Sequence, residues 1–191
     1  DPLLRAAREV MRTTGDELHA NLMLCSYYGD KVMCVDRYWP DTSIESSYTR
    51  GRPFPMFLGA TAKPILANLS PYQLRNLMLW HADEIRAAGL GDNWDEFRTN
   101  LKRLRTAGVY VSHGEVDRGL MGIGAAIFSP EQKVVGSLVF ISPERRTPAE
   151  RLAVLQARIQ VAAKQVTQNL DGPHAKAGNI SPSRPRRARK A

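Results

Sequence analysis

Residues 112–142 read SHGEVDRGLMGIGAAIFSPEQKVVGSLVFIS, two apolar runs on either side of a short polar turn. Residues 120–128 and 133–142 have the length and apolar content of strands, and Ser129-Pro130-Glu131-Gln132 between them has turn chemistry. An antiparallel hairpin is the simplest pairing. Setting Phe128 against Lys133 places Gly122 opposite Val139, Gly124 opposite Ser137 and Ala126 opposite Val135. Because side chains alternate faces, Met121, Ile123, Ala125 and Ile127 join Val134, Leu138 and Phe140 on one bulky apolar side. The other side is hollowed by Gly122, Gly124, Ala126 and Ser137. Such a hollow is either a small-molecule pocket closed by a loop or the bed of a closely packed helix. The glycines from Gly119 to Gly124 are not a dinucleotide fingerprint, since their spacing is wrong and they lie within a strand.

Upstream, residues 51–70, GRPFPMFLGATAKPILANLS, pass from a turn through small residues into a helix start. Gly59, Ala60, Thr61 and Ala62 have almost no side-chain bulk and precede an apolar run at helical spacing, Ile65, Leu66, Ala67 and Leu69. Unpaired N–H groups at a helix start, aided by the helix dipole, attract a carboxylate or other anion. Tight packing of the loop on a sheet needs the same small residues. The loop from Phe54 to Thr61 is the candidate cover of the hollow face, with Pro64 in the first turn of the helix that follows.

Capping and periodicity supply the remaining elements. Leu3, Leu4, Ala7, Val10 and Met11 form the stripe of an opening helix, about residues 2–14, that stops near Gly15. Leu22–Tyr27 and Lys31–Val35 form a hairpin through Gly29-Asp30, which puts Cys25 opposite Cys34. A disulfide there is geometrically conceivable, while two buried free thiols are the ordinary state of such a pair. Ser70-Pro71-Tyr72-Gln73 is a capping box, with Leu74, Leu77, Met78 and Ile85 on one face of its helix. Asp92 or Asn93 caps another helix, striped by Phe97, Leu101 and Leu104 and ended by Gly108. Thr147-Pro148-Ala149-Glu150 reads as a second capping box, opening a helix that ends before Gly172.

The chain has 191 residues, 43% of them hydrophobic, as expected for one folded domain over residues 1–172. Its formal net charge of +8 is concentrated beyond that point, because residues 173–191 carry Lys176, Arg184, Arg186, Arg187, Arg189 and Lys190 and no acidic residue. That Pro-, Ser-, Gly- and Arg-rich tail cannot bury enough surface to order itself. It is either a solvated tail or a weak nucleic-acid arm through Arg184, Arg186, Arg187 and Arg189. No apolar run reaches membrane-spanning length and no signal-peptide core stands at the N-terminus, so a cytoplasmic protein without membrane contact is expected. The four histidines are scattered and no metal-ligand spacing occurs, so neither a metal nor another cofactor is expected. His113 and Glu115 flank Gly114, but a strand-end turn explains them without acid–base chemistry, and no catalytic constellation is assigned.

Together, the two stretches resemble the effector-binding domain of IclR-type transcriptional regulators. In that family a Leu-Pro loop leads into a small-residue turn, a Gly-Lys or Gly-Arg pair and an Ala/Leu-rich helix. Here Phe54-Pro55-Met56 and Ala62-Lys63-Pro64-Ile65-Leu66-Ala67 fill those places, departing at Ala62 and Pro64. Gly108-Val109-Tyr110, Glu115 and Gly119 supply the later Gly-Tyr, Glu and Gly positions, and the resemblance covers roughly residues 3–170. It implies an α+β fold, GAF-like or profilin-like, with a curved antiparallel sheet of about six strands flanked by helices. It also implies a small organic acid held between sheet and loop by Phe54, Ala60, Thr61, Ser112, Gly122, Val139 and Ile141, with Ser137 lining the same hollow. Members that bind small 2-oxo acids carry larger or more polar groups where Ser112 and Gly122 stand, so a bulkier carboxylate, aromatic ones included, is expected here. The implied protein is a homodimer or homotetramer that reaches operator DNA through a winged helix-turn-helix preceding Asp1, the opening helix being the connector. The competing readings are a ligand-independent oligomerisation or interaction module and, further off, a small-molecule enzyme.

Overall fold

The computed structural model describes residues 1–172, so the basic tail and its four arginines lie outside the described residues. Asp1 opens α1 (Pro2–Leu18), its carboxylate accepting the Leu3 N–H at 2.9 Å. This helix runs a full turn past Gly15. A Cβ on Gly15 would stand 2.4 Å from the Tyr38 ring, so the glycine makes room for a neighbour rather than ending the helix, and the stop comes at left-handed His19. The chain then forms β1 (Asn21–Tyr28) and β2 (Lys31–Tyr38), which turn through Gly29-Asp30 as expected but extend further than the sequence pattern suggested. After β3 (Pro53–Pro55) come three helices, α2 (Gly59–Leu66), α3 (Pro71–Ala87) and α4 (Trp94–Ala107). Strands β4 (Tyr110–His113), β5 (Leu120–Phe128) and β6 (Val134–Pro143) follow, and α5 (Ala149–Asp171) closes the fold.

The six strands form one curved antiparallel sheet in the order β3-β2-β1-β6-β5-β4. Both faces are covered, so the central strands bury both sets of side chains and read as continuous apolar runs. On one face Leu22, Leu24, Ile123, Leu138 and Phe140 pack against α1 and α5, where Ala7, Met11, Leu155, Ile159 and Val166 complete the core. On the other face Met23, Cys25, Val139 and Ile141 meet Ile65, Leu66, Phe97 and Leu101 from α2 and α4. Edge strand β3 is bounded by two prolines, whose missing N–H groups cost nothing at an unpaired edge.

Local capping signals hold at α3 and α4. Ser70 and Gln73 exchange both bonds of the capping box, Asn93 accepts from the Glu96 N–H at 3.0 Å, and Gly108 takes the left-handed cap at φ 73°. The second expected box does not form, because the Thr147 hydroxyl donates to the Pro143 carbonyl at 2.7 Å instead and Pro148 caps α5 without a side-chain bond.

The β5–β6 hairpin forms in a register two residues from the expected one: Gly122 faces Ile141, Gly124 faces Val139 and Ala126 faces Ser137. The turn closes on a bond from the Ser129 N–H to the Lys133 carbonyl, with Gln132 at φ 62°, and a bulge then sets Phe128 opposite Val134. A shift of two keeps each residue on its face, whereas the bulge reverses Val134 and Val135. Val134 consequently packs with Val139 and Ile141, not with Leu138 and Phe140.

Cys25 and Cys34 lie opposite each other as two buried free thiols. Burial pushes the Cys34 thiol up to about 11 and Cys25 well above its ordinary value, and the buried Tyr110 hydroxyl is pushed up to about 12. The folded chain keeps these protons where the unfolded chain releases them. The stability they represent is thus complete below pH 9, the ordinary thiol value, and is lost as pH climbs toward 11 and 12. Urea midpoints are expected to fall across that interval, and a thiol reagent at pH 8 should label either cysteine no faster than the chain unfolds. Rapid labelling of the native chain would contradict the burial.

Candidate functional site

The start of α2 lies against the glycine face of the sheet. Leu58, at its N-cap, supplies no capping side chain, and the acceptor arrives instead from the β4–β5 connection. Glu115 Oε2 takes the Gly59 N–H at 2.7 Å while its Oε1 takes Lys63 Nζ at 2.8 Å. One carboxylate therefore satisfies a free helix amide, faces the positive end of the helix dipole and neutralises a cation on the first turns. Beside it the Ala60 N–H donates to Ser112 Oγ at 3.2 Å. Gly59 has φ 81°, a conformation that favours glycine, and a Cβ there would stand a tight 3.0 Å from the Tyr48 hydroxyl.

Thr61 is held at both ends. Its hydroxyl pairs with the Tyr48 hydroxyl at 2.9 Å, and its carbonyl accepts from Ser137 Oγ at 2.7 Å. Tyr48 belongs to the segment between β2 and β3, stacks on Phe54 with ring centroids 4.3 Å apart, and has its hydroxyl pushed upward in pKa by burial. Asp117, two residues beyond Glu115, accepts from Ser46 Oγ and the Ser47 N–H, both at 3.0 Å, tying that segment to the connection that carries Glu115. Pro64 lies inside α2 rather than in its first turn, and it has no N–H for the carbonyl of Ala60 four residues earlier. That carbonyl meets β5, where a Cβ on Gly124 would be 2.3 Å away.

The residues 2–168 match the family described as Bacterial transcriptional regulator IclR C-terminal. The chain belongs to the IclR family, as a C-terminal domain. It is 24% identical over 169 residues to the HTH-type transcriptional regulator KipR of Bacillus subtilis (strain 168), covering 87% of this chain and 66% of that protein's length. Its fold is similar to the C-terminal domain of the E. coli transcriptional regulator KdgR (TM-score 0.74, 19% identity, covering 89% of this chain and 99% of that one). It also resembles the Thermotoga maritima IclR (TM-score 0.77, 17% identity, covering 88% and 68%). These relatives and the family are transcriptional regulators, not enzymes. Among the described residues, no helix is long and apolar enough to cross a membrane and no cluster of three acidic, His or Cys side chains is placed to hold a metal.

In this IclR-type domain the sequence-predicted residues gather on one sheet face. Ala60, Thr61, Ser112 and Ser137 join one hydrogen-bonded set, Gly122 and Val139 lie beneath it, and Ile141 pairs with Gly122 across the strands. Phe54 reaches the set only through Tyr48. Ala60 and Thr61 stand in the helix rather than in a loop, and the hollow is filled by α2 itself: Ala60 Cβ would be 3.0 Å from a Cβ on Gly122. Of the two readings of the hollow, the closely packed helix is what this structure contains. Glu115, Tyr48 and Lys63 were not among the ligand contacts expected from the sequence, and the bond joining Glu115 to Gly59 spans 56 residues, beyond any local motif.

Backbone contact and side-chain contact separate two glycine substitutions. Gly124→Ala forces α2 off the sheet, so it should cost about 1–3 kcal/mol or more, with a melting point lower by about 2–4 °C per kcal/mol. Gly122→Ala meets chiefly the rotatable Ser112 hydroxyl, 2.7 Å away, and is expected to be milder by calorimetry. Equal losses would show that α2 is not seated on Gly124.

Proposed function

We propose that this domain senses a small carboxylate for an IclR-type regulator and controls operator binding by a DNA-binding domain preceding it in the same protein. The observation that supports this reading is the Glu115 carboxylate on the Gly59 amide and Lys63, an anion cradle held by the chain's own acid. An effector carboxylate fits the same donors once Glu115 leaves them, with the Ala60 N–H, which donates to Ser112 Oγ here, and the Thr61 hydroxyl, which pairs with Tyr48, next in line. The exchange is close to charge-neutral at the cradle, so affinity would rest on the rest of the effector and on what the freed Glu115 gains in water.

Because Ala60, Thr61, Ser112, Ser137, Val139 and Ile141 are all buried, an effector would need α2 to move from the Gly122 and Gly124 face. A bulkier acid, aromatic ones included, would shift α2 further than a two-carbon acid. Its differential affinity for the moved and seated arrangements is then the free energy that reaches the operator. Homodimers or homotetramers would couple paired half-sites to that movement. The same closed packing is what a ligand-independent interaction module would have.

Thermal unfolding against aliphatic oxo acids and hydroxy-aromatic carboxylates separates the two. At about 100 times its dissociation constant, a true effector adds roughly 2.7 kcal/mol. Glu115→Gln should lower the unliganded melting point and enlarge the effector-induced rise, since a neutral amide competes less well for the cradle. If no acid stabilises either form, with both shown folded by circular dichroism, the sensing reading fails and the module remains.

A further inference from the structure

The end of the sheet where β5 begins and β6 finishes carries a cleft of about 420 Å³, apart from the α2 site. Its floor is apolar: Ile44 is 8% exposed, Pro143 is buried and Leu120 is half-buried. Its rim is basic, with Arg118 from the β4–β5 connection and Arg145 and Arg146 from the short turn Glu144–Arg146 after β6. A smaller hollow of about 200 Å³ continues it, sharing Ile44, Pro143 and Arg146 and adding His19 and Arg151.

Hydrogen bonds hold these cations near one another. The Glu144 N–H donates to the Gly119 carbonyl at 3.0 Å, so the residue after Arg118 is fastened to the residue before Arg145. Arg146 donates to Asp41 Oδ2 at 3.0 Å, and Asp41 is itself fixed by two 2.9 Å bonds with the buried Asn21. Among the described residues Arg118 and Arg145 make no ion pair. The acids along the two hollows are Asp41, Glu45 and Glu144, the last standing 3.7 Å from His113. Four guanidiniums therefore meet three carboxylates, and guanidiniums held together repel each other unless an anion lies among them. A carboxylate offers two oxygens to this rim. A phosphate monoester offers three and carries about 1.5 to 2 negative charges at pH 7, a better match to several forked donors. The volume is that of a small-molecule site, and the apolar floor suits the organic group esterified to the phosphate.

We propose that this cleft is a second small-molecule site, one that takes an organic phosphate monoester with its phosphate on Arg118 and Arg145 and its organic group on Ile44, Leu120 and Pro143. The proposal does not rest on carboxylate sensing, because none of the residues lining the cleft belongs to the hydrogen-bonded set around Glu115 and Thr61. Isothermal titration calorimetry of the 191-residue chain with phenyl phosphate tests it, with inorganic phosphate and benzoate alongside. Phenyl phosphate is expected to bind at one site. Both comparison ions should bind at least about tenfold more weakly, one lacking the organic group and the other the third oxygen. Arg118→Ala and Arg145→Ala should each weaken phenyl phosphate at least about tenfold, whereas Arg98→Ala, the same loss of charge on α4, should leave it unchanged. All three arginines are exposed, and circular dichroism checks that the variants fold. Absence of binding overturns the inference, as does binding that persists in both Arg118→Ala and Arg145→Ala and is therefore held elsewhere on the chain. Benzoate bound as tightly as phenyl phosphate and lost in the same two variants overturns the phosphate assignment. Inorganic phosphate bound as tightly as phenyl phosphate overturns the role of the floor.

Discussion

The contact between the Ala60 carbonyl and the bare backbone of Gly124 is the constraint on which the rest of this domain depends. Side chains normally hold a helix away from the backbone of the sheet it covers. Here the sheet has glycines at the point of contact, and Pro64 has removed the internal partner of the carbonyl that reaches it. Only with α2 seated this deeply do Thr61 and Ser137 meet, and only then does the Gly59 amide fall within reach of Glu115.

Electrostatics and packing act together at this point. Lys63 and the α2 N-terminus would repel any further positive charge and leave amides unpaired if nothing acidic stood there. Glu115 settles both needs, and Asp117 holds the Tyr48 segment to the same short connection. Two carboxylates on one turn thereby fix the helix and the strap that covers it. Under the proposed sensing role, a carboxylate arriving from solution would have to compete with a group delivered at very high effective concentration, which would favour a strong binder.

What the sequence made legible was local. The Ser70 box, the Asn93 cap and the Gly108 stop concern residues within one turn of each other, and they formed as read. Period-two patterning sorted Met121, Ile123, Leu138 and Phe140 from Val139 and Ile141 correctly, because a two-residue slip of register preserves the faces. Failures came where a neighbour outbid a local signal. Thr147 prefers the Pro143 carbonyl to its helix, Gly15 yields to Tyr38, and the bulge at Val134 depends on how the hairpin loop closes. The candidate site residues were chosen by resemblance and by small size, and their purpose was open: glycine in a strand is equally suited to a ligand and to a helix. Glu115 stood out in the sequence only as a turn and motif residue, and its contact could not be read there, since the amide it meets lies 56 positions away.

The sheet is one strand thick, and β5 has α2 on one side and α5 on the other. Along that strand Gly122 and Gly124 touch the seated helix, while Ile123 and Ala125, interleaved with them, face the core that α5 shares with α1. The glycines have no side chains to absorb a displacement by changing rotamer. Any tilt of α2 must therefore be taken up by the β5 backbone itself, and appear on the far face as motion of Ile123 and Ala125. A strand built in this way works as a stiff diaphragm between two chambers: the pressure on one side and the position of the opening helix on the other are separated by a single layer of peptide.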